Sequence, residues 1–225
     1  MVLITGVGPG LGAALARRFA RGLVARHRDF IAELAREISE IGGKAIAIVA
    51  DVSRPEEVNA AVQQVRAEVG KITVLLHNAS ASSGDGLLGT TPEEFENSWR
   101  IATLGGFVAA RETAPDMIAA GQGAMLFTGA TSSVRGGGWL AFSSAKFALR
   151  GLVQSLAREL WPQGVHVGHV IVDGIIGPAG KALSPNEPQL DPAEMAEAYW
   201  QLARQNRAAW TLELDLRPNE EKFFE

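Results

Sequence analysis

The stretch "TGVGPGLG", Thr5 to Gly12, decides the fold. It leaves a short apolar run, "VLIT" at 2–5, and enters a segment of helical period, "LGAALARRFAR". Glycine permits a tight turn and a close backbone approach to a pyrophosphate, and the free N–H groups at the start of a helix favour an anion. A glycine-rich loop alone is weak evidence. Between a strand and an amphipathic helix it points to a dinucleotide-binding βαβ unit, with a ligand-free strand-to-helix turn as the competing reading.

Outward from this loop, short apolar runs alternate with longer helix-period segments, the pattern of βαβ units on a parallel sheet. The spacing predicts strands at 2–5, 44–50, 72–78, 124–128 and 165–172, and a last one in "AWTLELDL" at 209–216. Helices are predicted at 10–21, 28–41, 55–69, 92–120, 139–161 and 192–206. The run "ITVLLHN" at 72–78 is expected to be buried on both faces. Gly/Ser clusters at 80–89 and 132–138 follow strands, where open parallel sheets bind their ligands. Residues 177–190, rich in Pro and Gly, read as a mobile loop on the substrate side, either a lid or a plain surface connection.

The 225 residues suit one domain spanning 1–225, and 47% hydrophobic with 20% charged residues is ordinary for a globular protein. A net charge of −4 offers no broad attraction to nucleic acid or anionic membranes. The absence of cysteine excludes disulfides, thiolate metal sites and cysteine nucleophiles. No apolar run reaches the roughly 18 residues of a membrane span, and no signal segment precedes "VLITG", so a cytoplasmic protein is expected. His27, His166 and His169 lack metal-ligand spacing, and no metal is expected. The five tryptophans are expected to serve packing.

Four further motifs follow the loop in order: "ADVS" at 50–53, "HNAS" at 77–80, "FSSAK" at 142–146 and "VHVGHVIVDG" at 165–174. Together with Thr5-Gly6, Gly10 and Gly12, which match TGxxxGxG, they resemble the short-chain dehydrogenase/reductase family over most of the chain. The resemblance implies a doubly wound Rossmann fold, a mostly parallel seven-stranded sheet of order 3-2-1-4-5-6-7 with helices on both faces. It also implies an NAD(P)-dependent oxidoreductase of a small carbonyl or alcohol substrate, forming a homodimer or homotetramer through the helices at 92–120 and 139–161. Cofactor contacts would come from Gly6, Gly8, Gly10, Leu11, Gly12, Asp51, Val52, Asn78, Ala79, Lys146 and Ile176. Asp51 also reads as part of a helix-start sequence, "DVSRPEE", and Asn78 as a turn residue.

The choice of dinucleotide turns on the end of the second strand, where an acid suits a ribose hydroxyl and an arginine a 2′-phosphate. No acid is found there, and Arg26 favours NADP, with NAD as the second candidate and a solvated surface charge as the alternative reading. Arg26 nevertheless follows Gly12 more closely than the roughly 20 residues usual for this position. Part of the second strand is therefore expected to be lacking between Arg21 and Leu23, and the loop after Ile176, where Pro178 stands near the family's Thr, to be shortened.

The resemblance also exposes departures. The family's proton donor is a Tyr whose phenolate is favoured by a Lys at i+4. Here Lys146 is present, but the Tyr position holds Phe142, which has no ionisable oxygen. The carbonyl-polarising Ser aligns with Gly129 or Ala130, and the Asn of the long helix with Ala102. Hydroxyls of Thr131, Ser143 or Ser144 could act from a new direction, or serve only as caps and turns; His77 could act as an acid or be a core residue. Two functions stay open: an oxidoreductase with a modified constellation, and an NADP-binding pseudo-enzyme with a structural or regulatory role.

Overall fold

The structure, a computed structural model, describes residues 1–19, 22–81, 84–177 and 188–220. Strand β1 (Val2–Thr5) runs into helix α1 (Leu11–Phe19), followed by β2 (Gly22–Ala25), α2 (Arg28–Glu40), β3 (Ile46–Val49), α3 (Pro55–Glu68) and β4 (Val74–His77). After a one-turn helix α4 (Gly86–Gly89) come α5 (Pro92–Trp99), a π-helical turn at Arg100–Leu104, α6 (Gly105–Ala120) and β5 (Gly123–Thr128). Helix α7 (Leu140–Leu160), β6 (Val165–Val172), the short strands β7 (Ile175–Ile176) and β8 (Gln189–Leu190), α8 (Pro192–Ala203) and β9 (Glu213–Leu216) complete the order.

Seven strands form one sheet in the order β3-β2-β1-β4-β5-β6-β9, and every pairing within it is parallel. With β9 as the seventh strand, this is the predicted doubly wound topology. Side chains of a strand alternate between faces, so a strand covered on both sides must be apolar throughout. Leu75, Met125, Phe127, Val165 and Val167 pack beneath α3, α6 and α7, while Leu76, Leu126, Val170 and Val172 pack beneath α1 and α8. The continuous run at 72–78 is thereby explained, although its ladder begins at Val74 and ends at His77.

The sequence reading needs four corrections. Strand β2, expected ahead of Arg26 but given no bounds, is the four-residue "GLVA", paired with β1 through Leu3–Gly22 and with β3 through Gly22–Ile46. The second strand is thus formed; of the junction expected to lack residues, Arg21 lies outside the described residues, as does Pro178. The helix expected over 92–120 carries a π turn at Arg100–Leu104, which brings the Gly105 N–H to the Arg100 carbonyl. The segment read as loop to 190 ends in a parallel ladder, Ile175–Gln189 and Ile176–Leu190; residues 178–187 lie outside the described set. Trp139, expected to pack, is 62% exposed, whereas Trp161 and Trp210 lie edge to face at 5.7 Å.

Two glycines separate backbone freedom from close approach. Gly6 and Gly42 both have left-handed φ, +78° and +84°, but a Cβ on Gly6 would stand 2.4 Å from Ala79 Cα while one on Gly42 would meet nothing within 4 Å. Gly42→Ala should cost about 1 kcal/mol, and Gly6→Ala more than about 3 kcal/mol, because backbone overlap adds to the strained φ. Urea midpoints of the two variants check this, and equal losses would contradict it.

Candidate functional site

The carboxyl ends of β1 and β4 meet at the glycine loop. Asn78 donates its backbone N–H to the Thr5 carbonyl at 3.0 Å and its side-chain Nδ2 to the Gly6 carbonyl at 2.9 Å. A Cβ on Gly12 would lie 2.6 Å from the Gly6 carbonyl oxygen, so Gly6 and Gly12 are glycines for internal reasons. Gly8 and Gly10 are different: among the described residues a Cβ on Gly8 would meet nothing within 4 Å, and one on Gly10 would make ordinary contact with Ile176 at 3.7 Å and the Gly177 carbonyl at 3.9 Å. Their bare backbone faces a cavity in front of α1, where the helix N-terminus favours an anion.

Two cavities share this loop. The larger, about 820 Å³, runs from the loop past Thr128–Ser132 to Phe142, Lys146 and Asp173. The smaller, about 310 Å³, lies between Arg26, Asp51, Val52, Ala79 and Ile101. Gly6, Gly8, Asn78 and Ser80 line both, so together they form a two-lobed cleft with the glycine loop at its waist. A dinucleotide has this form, two lobes joined by a pyrophosphate, and the residues present fit one. Leu11 and Ile176 line the larger lobe, and every candidate cofactor residue therefore borders one lobe or both.

In the smaller lobe, burial works to raise the Asp51 pKa, but the Ser53 N–H, 2.9 Å from Oδ1, and the Arg26 and Arg54 charges hold it below the usual carboxylate range. The helix-start reading of "DVSRPEE" changes in detail. The residue preceding α3 is Arg54, which makes no side-chain cap, and Glu57 Oε2 instead accepts from the Asp51 N–H at 2.7 Å.

In the larger lobe Lys146 is buried, and its Nζ donates to the Thr128 carbonyl at 2.8 Å. Burial pulls its pKa down to about 8. Nζ stands 5.4 Å from the centre of the Phe142 ring, so apolar carbon faces the lysine. Ala130 lines the cavity; so does Gly129, but a Cβ there would come within 2.2 Å of His169 Nε2. Of the two positions aligned with Ser, only Ala130 has room for one.

Thr131 donates its hydroxyl hydrogen to Asp173 Oδ1, and Asp173 Oδ2 is paired with Arg217 Nη1 at 3.0 Å. Thr131 and Asp173 both line the larger cavity. Ser143 does not: its hydroxyl is buried in α7 without a hydrogen-bond partner. Ala102 is buried in the π turn away from both lobes, and its carbonyl accepts from His77 Nε2 at 2.9 Å. Since a carbonyl only accepts, Nε2 carries the proton and Nδ1 accepts from Thr5 Oγ1 at 2.8 Å. Both ring nitrogens are engaged, and His77 is a buried structural residue rather than an acid. The chain's one tyrosine, Tyr199, is also buried, its OH 2.8 Å from Thr128 Oγ1, with its pKa raised by burial.

Sequence reasoning overlooked Arg135 and Trp139, which line the larger lobe, and treated Asp173 only as a replaced proline. The position of Arg135 and Trp139 after the fifth strand was a usable signal. The pairing of Asp173 with Thr131, 42 residues earlier, left none.

Burial lowers the His77 pKa to about 4 from its ordinary value near 6.5. Unfolding therefore takes up a proton between these values, so stability is full above pH 6.5 and falls as pH drops towards 4. The His77 contribution should be about 3 kcal/mol across that window. Imidazole titration by NMR and denaturation at several pH values check this; a His77 titrating near 6.5 would contradict it.

A family profile described as short chain dehydrogenase matches residues 1–187. A short-chain dehydrogenase/reductase of Armillaria gallica is 30% identical over 177 residues, covering 74% of this chain and 67% of the relative. The chain thus spans about two thirds of that relative's length. A crystal structure of a short-chain dehydrogenase from Rhodopseudomonas palustris is 38% identical with a TM-score of 0.85, over 96% of this chain and 97% of that one. A metagenomic short-chain oxidoreductase solved in complex with NADP is 28% identical with a TM-score of 0.85, over 98% of both chains. With the parallel sheet, the glycine loop and the two-lobed cleft in agreement, the chain belongs to the short-chain dehydrogenase/reductase family.

Proposed function

We propose that the protein is an NADP-dependent oxidoreductase of a small hydroxyl or carbonyl compound, in which Thr131 and Asp173 replace the missing tyrosine. The observation that carries this reading is the two-lobed cleft, with Lys146 in one lobe and Arg26 in the other. Arg26 follows the end of β2 with no acid beside it on that strand, which suits a 2′-phosphate, and the metagenomic relative was solved with NADP. A bound nicotinamide supplies the hydride donor or acceptor. The chain's own residues orient it and handle the proton.

Lys146 spends one of its three N–H donors on the Thr128 carbonyl, leaving two for the nicotinamide ribose. Thr131 has its hydroxyl hydrogen committed to Asp173, so its oxygen offers lone pairs to the cavity and accepts from a substrate hydroxyl. In alcohol oxidation the substrate's hydroxyl proton passes to Thr131 Oγ1 as the Thr131 proton moves to Asp173 Oδ1. Carbonyl reduction runs the same transfers backwards. Arg217 holds Asp173 in place for either direction.

The pseudo-enzyme reading is favoured by one observation, the Phe142 ring set beside Lys146. One set of assays separates the two. NADP should bind more tightly than NAD, and Arg26→Ala should weaken NADP by about tenfold or more while sparing NAD. On a panel of alcohols and ketones, Asp173→Asn should lower turnover by about 10²-fold or more without weakening NADP. Tight NADP binding with no turnover across the panel would favour the pseudo-enzyme.

Restoring the related chemistry is a second test. Phe142→Tyr with Ala130→Ser should raise carbonyl reduction above wild type by about 10²-fold. Absence of any gain in the folded double variant would refute the alignment of the site.

A further inference from the structure

The charges around the larger lobe are not balanced. Among the described residues three of those lining it carry charge: Lys146, Asp173 and Arg135. Lys146 is held by the Thr128 carbonyl, and Asp173 is matched by Arg217. The Arg135 guanidinium has neither an ion-pair nor a hydrogen-bond partner among the described residues. Its backbone is fixed nonetheless: the Arg135 N–H donates to the Thr131 carbonyl at 2.9 Å, placing both residues on one tight turn.

The wall beyond Arg135 is open and apolar. A Cβ on Gly136, Gly137 or Gly138 would meet nothing within 4 Å, so this stretch leaves room, and the 62% exposed Trp139 follows it. Trp139 and Phe142 both line the same cavity. An exposed indole and an unpaired guanidinium lining one cavity fit a ligand with an apolar body and an anionic end.

The geometry points to a carboxylate-bearing substrate, its carboxylate seated on Arg135, its apolar body against Trp139 and its reacting hydroxyl or carbonyl towards Thr131. This rests on the oxidoreductase reading for the reacting group, but the carboxylate site is a separate claim about binding. A single guanidinium fork matches one carboxylate in number of donors and in charge, whereas a phosphate dianion would need a second cation.

Calorimetry with phenylacetate, 4-phenylbutanoate, 6-phenylhexanoate and their neutral carboxamides tests it, with and without NADP. At least one carboxylate should bind about tenfold or more tightly than its amide, a preference that weakens with salt. Arg135→Gln should abolish the preference and Arg135→Lys should retain part of it. No binding by any carboxylate, equal binding of acid and amide, or a preference surviving in Arg135→Gln would overturn the inference. Phenyl phosphate binding more tightly than every carboxylate would overturn the choice of head group. The NADP affinity of the wild type is read in the same experiments, so failure of the cofactor reading is seen independently of the carboxylate result.

Discussion

The backbone of Gly6 lies against Ala79 with no space for even a methyl group between them, and the ligand-facing edge of the sheet is organised by that approach. It lets the loops after β1 and β4 run side by side, and the Asn78 side chain clamps the Gly6 carbonyl. Gly12 packs on the same carbonyl and starts α1 beside it. The glycine loop then stands as a waist between two cavities, presenting Gly8 and Gly10 as bare backbone to whatever crosses it. Helix position, anion preference and the division of the cleft all follow from one contact.

The two lobes differ in chemistry. Together they have the form that fits a dinucleotide, and the larger one includes a lysine buried at a cost. Burial lowers the Lys146 pKa to about 8, which means that at neutral pH the charged form is retained against desolvation. Near the lysine the Phe142 ring and Ala130 offer no hydroxyl to the cavity, and the Ala102 carbonyl is engaged by His77. Asp173 accepts from the Thr131 hydroxyl, which leaves the Thr131 oxygen as an acceptor at the cavity wall.

Much of the fold was legible because buried parallel strands are apolar on both faces, as at Leu75 and Leu76, and because the glycine loop names the first crossover. The bounds of strand β2 were not legible: four residues carry too little pattern, and Gly22 to Ala25 become a strand only between β1 and β3. The π turn escaped for a similar reason, since its register is set by Gly105 packing against Val52 and by His77 reaching Ala102. At the site, the residues bordering the cleft lie in local motifs, whereas Thr131 with Asp173 and His77 with Thr5 are contacts between distant segments. Ser143 illustrates the limit: its spacing beside Lys146 made it a candidate, and only its burial within α7 sets it apart from Thr131.

The central claim is that a dinucleotide lies across both lobes with its pyrophosphate at the glycine waist. A crystal structure of the protein with NADP tests it most directly. The account predicts the 2′-phosphate at Arg26, the pyrophosphate on the backbone of Gly8 to Gly12 and the nicotinamide ribose within hydrogen-bond reach of Lys146 Nζ. NADP bound elsewhere, or an empty cleft at saturating NADP, would contradict it.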